Sequence, residues 1–474
     1  MRKIFLFIIL FPLLISCTQK KPNIVFILVD DLGWTDLGYT GSSFYESPNI
    51  DMLSKESIQF DNAYSAASVC SPARAAIMTG KHPARVNITD WIPGNDPKDE
   101  MLLGPEDANE LPLEEFTIAE ALKEQGYQTF FAGKWHLGGE GFLPTDQGFD
   151  KNKGGYDIGQ PPHGYYSPYQ NPKLSDGPKG EYLTDRLTNE SIQFIDQHKD
   201  ESFFLFLSFY SVHAPIQACK RHIDKFKNKL SSMSNQKIHQ RKEGKGITTL
   251  DQKNPAYASM VYAVDENIGR LIDKLKEENL YENTIIIFTS DNGSLTTVKS
   301  EYHWVAPSAV VPLRAGKGWL YEGGIRVPLL IKPDNSHKSR ICSSPVVSYD
   351  FYPTILSLLG VNNTTEQHID GCDISPLLDG ESTLNREEVF WHYPHYHGSA
   401  WTPGAAIRQS DWKLIEFYET GKTELYHLSD DISENNDLSS KYPEKVLEMQ
   451  NRLHQLQTSM HANKAILNPN YQKE

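Results

Sequence analysis

Four apolar runs, rich in β-branched or aromatic residues, lie far apart along the chain and predict the strands of one buried sheet. They are Asn23–Val29, Tyr127–Ala132, Phe203–Phe209 and Thr284–Thr289. Strands of a parallel sheet that is covered on both faces have such continuous apolar runs. Helical spacing of apolar residues over 257–280 and a capping box at 117–120 supply flanking helices. The pattern predicts an α/β fold with a mainly parallel or mixed central sheet.

A second pattern begins near Asp379. Ala406–Tyr418 and Thr423–Leu428 predict strands of a small antiparallel sheet, and Tyr442–Met460 predicts an amphipathic helix. A chain of 474 residues is long enough for one large domain and a smaller one. We therefore expect a large domain at 22–378 and a C-terminal α+β subdomain at 379–474.

The N-terminus has the pattern of a secretory leader. Arg2 and Lys3 precede the apolar run Ile4–Ile15, which is too short to span a membrane. Leu-Ile-Ser-Cys at 14–17 resembles a bacterial lipobox, so residues 1–16 are expected to be a lipoprotein signal peptide. A lipid on Cys17 would then attach the protein to a membrane, in the periplasm or at the outer membrane and cell surface. A plain cleaved signal and an uncleaved anchor are the alternatives.

The formal net charge of −15 disfavours nucleic acid as a partner and requires any anion site to be a local basic pocket. Apart from Cys17 and Cys70, the cysteines are Cys219, Cys342 and Cys372. An odd number of this size gives no disulfide framework, and we expect no bridge.

Oxygen-bearing side chains follow two of the predicted strands. Asp30 and Asp31 come directly after the first, and Asp291 and Asn292 follow the fourth. Open α/β sheets build their sites at the carboxyl ends of strands. Carboxylate and amide oxygens suit a hard cation, so the pattern indicates a Ca²⁺ or Mg²⁺ site and not a zinc site. Taken singly, an Asp-Asp pair would more often begin a solvated loop.

Cys70 opens a short segment that has the local pattern of a helix start. Pro72 suits a first helical turn, and Gly80 suits the end of the helix. Cys70 would then lie at a helix N-terminus, where an anion is favoured, with Arg74 one turn further on. A buried structural cysteine beside a surface arginine is the alternative for an isolated motif.

Lys134, His136 and His213 also follow predicted strands, and Lys134 and His136 would share a cleft if the backbone between them is extended. The Gly-, Pro- and Tyr-rich stretch Gly154–Tyr182, which contains His163, is a candidate pocket wall.

The cluster Trp391–His397 contains His392, His395 and His397 and lies close to Trp401. It lacks acids or cysteines at zinc-ligand spacing. Its rings either stack on sugars or form a partly buried aromatic loop.

Two long segments carry a family resemblance. Val-Cys-Ser-Pro-Ala-Arg-Ala-Ala-Ile-Met-Thr-Gly at 69–80 and Gly-Tyr-Gln-Thr-Phe-Phe-Ala-Gly-Lys-Trp-His at 126–136 resemble the two signatures of the type I sulfatases. Gly-Lys at 316–317 and Glu-Gly-Gly-Ile-Arg-Val-Pro at 322–328 resemble a third family segment. The resemblance covers nearly the whole chain after the leader.

The resemblance implies an alkaline-phosphatase-like large domain and a sulfuric ester hydrolase. A separate maturation enzyme would convert Cys70 to formylglycine (3-oxoalanine), whose hydrated aldehyde is the nucleophile. The implied roles are Ca²⁺ binding by Asp30, Asp31, Asp291 and Asn292 together with residue 70, sulfate binding by Lys134 and Lys317, assistance by Arg74 and His136, and leaving-group protonation by His213.

The expected substrate is a sulfated oligo- or polysaccharide: an algal polymer of the carrageenan or ulvan type, or a host glycosaminoglycan or mucin. His163, His392, His395 and His397 are the candidate sugar-binding residues. A phosphoester or phosphonate hydrolase of the same superfamily is the first alternative. A catalytically dead glycan-binding lipoprotein is the second, and it predicts the loss of a key residue, yet none is missing.

Overall fold

The computed structural model describes residues 21–94, 97–334, 339–361 and 367–472, so the predicted leader and Cys17 lie outside the described residues. The strands are β1 Asn23–Val29, β2 Ile58–Phe60, β3 Ala63–Tyr64, β4 Leu102–Leu103, β5 Gln128–Gly133, β6 Lys151–Lys153, β7 Phe203–Phe209, β8 Gln240–Glu243, β9 Gly246–Thr249, β10 Thr284–Ser290, β11 Thr297–Lys299, β12 Leu329–Lys332, β13 Arg340–Cys342, β14 Val346–Val347, β15 Glu388–Tyr393, β16 Gly404–Gln409, β17 Trp412–Phe417, β18 Lys422–His427 and β19 Ile466–Leu467. The helices are α1 Pro48–Ser54, α2 Cys70–Thr79, α3 Pro83–Val86, α4 Ile118–Glu124, α5 Leu183–His198, α6 Ile223–Ser232, α7 Pro255–Glu277, α8 Glu322–Ile325, α9 Phe351–Leu358, α10 Ser375–Asp379 and α11 Pro443–Ser459. None of the described helices is both long and apolar enough to cross a membrane.

An eight-stranded sheet forms the centre of the large domain, in the order β13-β2-β12-β10-β1-β7-β5-β6. β1 runs parallel to both β10 and β7, and β5 runs parallel to β7 and β6. β12 runs antiparallel to β10 and β2. The sheet is therefore mixed, with a parallel centre, as the continuous apolar runs predicted.

The two faces of the sheet carry separate apolar cores because alternate side chains of β1 point in opposite directions. Val25 and Ile27 pack in the core that includes side chains of α5 and α7. Ile24 and Phe26 pack in the opposite core, with side chains of α2, α4 and α9. Helices on both faces bury the strands completely, which explains why the strands show no alternation of apolar and polar residues.

The register of the parallel strands brings their carboxyl ends to one edge. Val29 is paired with Ser290 on one side and with Phe209 on the other. Gly133 pairs with Ser208, so β5 ends at nearly the same level. The residues that follow these four strands therefore meet in space although they lie far apart in sequence.

The C-terminal region forms a four-stranded antiparallel sheet, β15-β16-β17-β18, as predicted. One face packs on α11 through Leu414, Leu425 and Leu453. The other face, which includes Ile415, packs in a shared core with Trp319 of the large domain. The small sheet is thus joined to the large domain by an apolar interface.

A buried ion cluster lies within this interface. The Lys413 side chain is fully buried, with its Nζ atom 2.9 Å from Glu322 Oε1 and 2.8 Å from Glu434 Oε1. Glu322 also accepts a hydrogen bond from Arg326 Nη1 at 3.2 Å. Glu322 and Arg326 therefore serve the packing of the two units.

We expect Lys413→Met to lower the free energy of unfolding by about 3–5 kcal/mol, because it leaves two buried carboxylates without their common cation. Denaturant or thermal unfolding measures the change. Lys422→Met is the matched control, since the Lys422 side chain is 58% exposed and its loss should cost no more than about 0.5 kcal/mol. Equal stability of the two variants would contradict this interpretation of the interface.

Candidate active site

The predicted site residues converge at the carboxyl edge of the central sheet. Asp30 and Asp31 follow β1, Lys134 and His136 follow β5, His213 follows β7, and Asp291 and Asn292 follow β10. Helix α2 begins at Cys70, and Gly80 ends it in the left-handed conformation, as predicted. The Cys70 thiol lies against this edge, 3.7 Å from Asp30 Oδ1.

Three buried carboxylates at this edge each contact a buried cation. Lys134 Nζ lies 2.7 Å from Asp30 Oδ2, and Lys317 Nζ lies 2.7 Å from Asp31 Oδ1. Arg74 Nη2 lies 2.7 Å from Asp291 Oδ2. Because unpaired buried charges are costly, this compensation is required for the cluster to exist inside the fold.

The cluster also offers an arrangement that fits a divalent cation. Ligand atoms of Asp30, Asp31, Cys70 and His213 all lie within 4.8 Å of one another. The Oδ1 atom of Asn292 is buried and has no hydrogen-bond partner among the described residues. An orphaned amide oxygen beside carboxylates is the donor set that Ca²⁺ or Mg²⁺ prefers.

The electrostatics of the carboxylates agree with this fit. Burial, followed by the charge of Asp291, raises the pKa of Asp30 well above its usual range. Burial also acts to raise the pKa of Asp291, but the charges of Arg74, Lys134 and Lys317 lower it overall. Of these two carboxyl groups, Asp30 is therefore the one whose pKa a bound cation would have to lower.

Cys70 lies at the N-terminus of α2 and close to both lysines. Its Sγ atom is 3.2 Å from Lys317 Nζ. Burial acts to raise the pKa of the thiol, but the charges of Lys134 and Lys317 outweigh it and lower the pKa to about 6. An unconverted Cys70 is therefore a thiolate at neutral pH, and position 70 favours a negatively charged group.

His136 has a fixed tautomer. Its Nε2 atom lies 2.6 Å from the carbonyl oxygen of Ile92, and because a carbonyl only accepts, Nε2 carries the hydrogen. Its Nδ1 atom is then an acceptor, and it is buried without a partner in the described part of the chain. Burial, followed by Lys134, lowers the pKa of His136 well below its usual range. His136 is therefore a neutral acceptor.

The backbone at His136 is not extended, since its φ of +60° is left-handed. The premise that an extended chain would aim Lys134 and His136 into one cleft was therefore wrong. Lys134 contacts Asp30, whereas His136 lines the cavity above it. A turn at the strand end brings them to one site.

His213 is oriented as a proton donor. Its Nδ1 atom lies 2.7 Å from the carbonyl oxygen of Ala214, and its Nε2 atom lies 3.7 Å from Asp31 Oδ2. Burial and Lys317 act to lower the pKa of His213, but Asp31 and Asp30 outweigh them and raise it. The Nε2 atom that faces the site can therefore carry a proton near neutral pH.

Arg74 does not line the cavity. Its guanidinium group binds Asp291, the carbonyl oxygen of Lys134 at 2.6 Å and Ser208 Oγ at 2.8 Å. It therefore holds three strand ends together beneath the site.

A cavity of about 590 Å³ opens above this cluster. Its lining residues are Cys70, Trp91, Ile92, Pro93, His136, Asp157, Ile158, Gly159, Gln160, His213, Lys317 and His397. The stretch Gly154–Tyr182 therefore contributes a wall, as predicted, through residues 157–160. Sequence reasoning missed 91–93, a short loop without periodicity or a charged residue.

The proposed sugar-binding histidines have different positions. His397 lines the cavity, with its Nδ1 atom 2.8 Å from Ser399 Oγ. His163 is exposed and is absent from the lining. His392 Nε2 lies 2.7 Å from the carbonyl oxygen of Asn463, and His395 Nε2 lies 2.8 Å from Thr89 Oγ1. Neither of these two side chains lines the cavity.

The interpretation of Trp391–His397 as a sugar-stacking surface was wrong for its aromatic rings. Trp391 and Trp401 are 0% and 1% exposed. Both pack in the core between the small sheet and the large domain. The alternative, a partly buried aromatic loop, is nearer to the structure, but Trp391 and Tyr393 lie in strand β15 and are fully buried.

Two family profiles match the chain. The family profile described as Sulfatase matches residues 22–361, and the profile described as N-sulphoglucosamine sulphohydrolase, C-terminal, matches residues 315–461. A sulfatase of Formosa agariphila is 31% identical, over 95% of this chain and 92% of that protein. Human arylsulfatase A is 32% identical, over 80% of this chain and 71% of its own.

A solved structure, that of Ps i-CgsB, is also similar. It superposes with a TM-score of 0.74 at 30% identity, and 95% of each chain is covered. The same protein has been solved in complex with k-i-k-neocarrahexaose.

We expect the unconverted Cys70 of a metal-free preparation to react with iodoacetamide as a thiolate, with a rate that rises as the pH increases through about 6. Mass spectrometry of the peptide that contains residue 70 would follow the reaction. Lys317→Met should shift the midpoint upward, because it removes a cation 3.2 Å from the sulfur. A wild-type midpoint near the free-cysteine value of about 8.5 would contradict this account.

Proposed function

The chain belongs to the sulfatase family, and we propose that it hydrolyses sulfate monoesters on sugar units of a sulfated polysaccharide. The observation that carries the proposal is a cysteine 3.2 Å from Lys317 Nζ and 3.7 Å from Asp30, which is paired with Lys134, at the base of a cavity of about 590 Å³. The 30% identical relative solved with a carrageenan oligosaccharide supports a polysaccharide substrate.

We further propose that Cys70 is converted to formylglycine by a maturation enzyme. An aldehyde at residue 70, once hydrated, would supply one hydroxyl to attack sulfur and a second whose deprotonation releases sulfate. The start of α2 and the two lysines favour negative charge at this position. The Cys-x-Pro-x-Arg pattern at 70–74 supports the conversion.

Charge neutralisation is the main requirement of the reaction, because a sulfate monoester is already anionic. Lys317 lines the cavity beside residue 70 and would bind the sulfate oxygens. Lys134 lies below on Asp30 and would add its charge from there. Asp30, Asp31, Asp291 and Asn292 would hold Ca²⁺, which polarises a sulfate oxygen when it is bound. Arg74 keeps Asp291 ionised and in place.

Proton transfer is divided between two histidines. His213 presents a proton on Nε2 to the cavity and would donate it to the leaving alkoxide. His136 presents an unprotonated Nδ1 and would accept a proton from the hydroxyl at residue 70. The Ile92 contact leaves Nδ1 of a neutral His136 unprotonated. The Ala214 contact takes the Nδ1 hydrogen of His213, so the proton on Nε2 is the second proton of an imidazolium that Asp31 and Asp30 stabilise.

A phosphoester or phosphonate hydrolase would use a similar floor. The lysine pair and the lipoprotein-like leader favour sulfate. A dead glycan-binding protein is disfavoured because every residue of the proposed machinery is present in the sequence. We also retain the proposal of a bacterial lipoprotein anchored through Cys17 in the periplasm or at the outer membrane.

The first test compares 4-nitrophenyl sulfate with 4-nitrophenyl phosphate. We expect sulfate release to dominate, and we expect the peptide that contains residue 70 to have the mass of an aldehyde. Cys70→Ala should abolish turnover and leave the fold intact, since it removes the nucleophile and little of the core. Faster phosphate release would favour the first alternative, and near-wild-type turnover of Cys70→Ala would overturn the mechanism.

The second test removes the metal. Chelation should inactivate the enzyme, and Ca²⁺ or Mg²⁺ but not Zn²⁺ should restore it, because the donors are oxygens. Added Ca²⁺ should also raise the midpoint of thermal unfolding. Asp291→Ala should lose both responses, whereas the exposed Asp224→Asn should keep them. Full activity after complete demetallation would exclude a role for the cation.

A further inference from the structure

The cations of the cavity are confined to its floor. Lys317 is the one lysine or arginine among the lining residues, and its Nζ atom contacts Asp31 and Cys70. Lys134 lies below, on Asp30, with a side chain that is fully buried. His213, the other lining group that can be positive, faces Asp31 Oδ2 at 3.7 Å. Among the described lining residues, the positive charge is thus placed for one anionic group at residue 70.

The walls have no compensating charge. Trp91, Ile92, Pro93 and Ile158 are apolar, and Gln160 is neutral. Burial, followed by Lys317, lowers the pKa of His397 to about 3, so His397 is neutral at working pH.

Asp157 brings a negative charge to the wall. It is exposed and has no ion pair or side-chain hydrogen bond with any of the residues that the structure describes. The nearby Lys299, which acts on the pKa of His397, lies 4.0 Å from both Glu100 and Glu301. Lys299 forms no ion pair with Asp157 in the described part of the chain.

From this distribution we propose that Asp157 is a specificity-determining residue that restricts the sugar in the cavity to one anionic group, the sulfate that is removed. A second sulfate or a carboxylate on the same sugar would meet the Asp157 carboxylate, and the two described lining residues that can be positive, Lys317 and His213, both face Asp31. Hydroxyls of a neutral sugar would instead donate hydrogen bonds to Asp157 and to the Gln160 carbonyl oxygen. The inference rests on the proposed sulfatase function.

The inference narrows the substrate class. A neutral hexose unit with one sulfate and no carboxylate fits this charge distribution. A uronic acid or a disulfated unit in the same position does not fit. Sulfates on neighbouring units of the polymer, outside the cavity, are not restricted by Asp157.

The test uses sulfated methyl hexosides. First, the monosulfated compound with the highest kcat/KM on the wild type is identified. Then kcat/KM is measured for a disulfated compound that carries a sulfate at that same position and a second one elsewhere on the ring. We expect Asp157→Asn to raise kcat/KM for the disulfated compound roughly tenfold, since it removes a like charge within the cavity. For the monosulfated compound it should not raise kcat/KM, because Asn keeps one acceptor for the sugar hydroxyls but loses the charge that strengthens those hydrogen bonds.

Asp224→Asn is the matched control, since it removes the same charge from a side chain that is 84% exposed and outside the lining. It should leave both values unchanged. On the wild-type enzyme, raising the salt concentration from about 10 mM to about 500 mM should shrink the preference for the monosulfated compound. An aryl sulfate with and without a ring carboxylate gives the same comparison without a sugar.

Two failures can be told apart. If the wild type releases sulfate but Asp157→Asn leaves the mono- to disulfated ratio within about twofold of the wild-type ratio, the specificity role is wrong and the sulfatase function stands. If the wild type releases sulfate from neither a hexoside nor an aryl sulfate, both proposals are overturned.

Discussion

The compensation of three buried carboxylates by three buried cations is the constraint on which the candidate site depends. The side chains of the three acids, Asp30, Asp31 and Asp291, are at most 4% exposed. Each has a cation at 2.7 Å, which is Lys134 for Asp30, Lys317 for Asp31 and Arg74 for Asp291. A buried charge without a partner would cost several kcal/mol. These six residues come from five separate segments, so the charges are compensated only when the sheet and α2 are assembled correctly.

That dependence explains how the sheet and the site support each other. Val29 pairs with Ser290 and Phe209, and this register places the acids beside one another. A shift by one residue would turn the apolar set of β1 to the opposite faces and separate the acids as well. Arg74, which binds the ends of β5, β7 and β10, fixes this register from beneath.

The sequence predicted those strands and strand-end residues whose local pattern is compatible with one structure only. The strand bounds Asn23–Val29 and Phe203–Phe209 are those of the structure, because continuous apolar runs of seven residues suit buried parallel strands. The acids at 30, 31 and 291 were predicted to lie together because the ends of these strands could be located from the same apolar runs. Trp391 was misjudged because a strand covered on both faces resembles, in sequence alone, an aromatic surface. The wall at 91–93 has no local pattern, and only tertiary structure brings it to residue 70.

The charge distribution also separates the binding of one sulfate from the rejection of a second anionic group. A protein with a formal net charge of −15 gives a sulfated polymer no long-range attraction. Binding must then arise at short range, on a floor where Lys134 and Lys317 are shielded from water and act in a low dielectric. The outer wall, with a carboxylate at Asp157, can reject further anions without weakening the floor, because the two act on different groups of the sugar. Recognition of one sulfate and discrimination against a second are therefore properties of two layers of the same cavity.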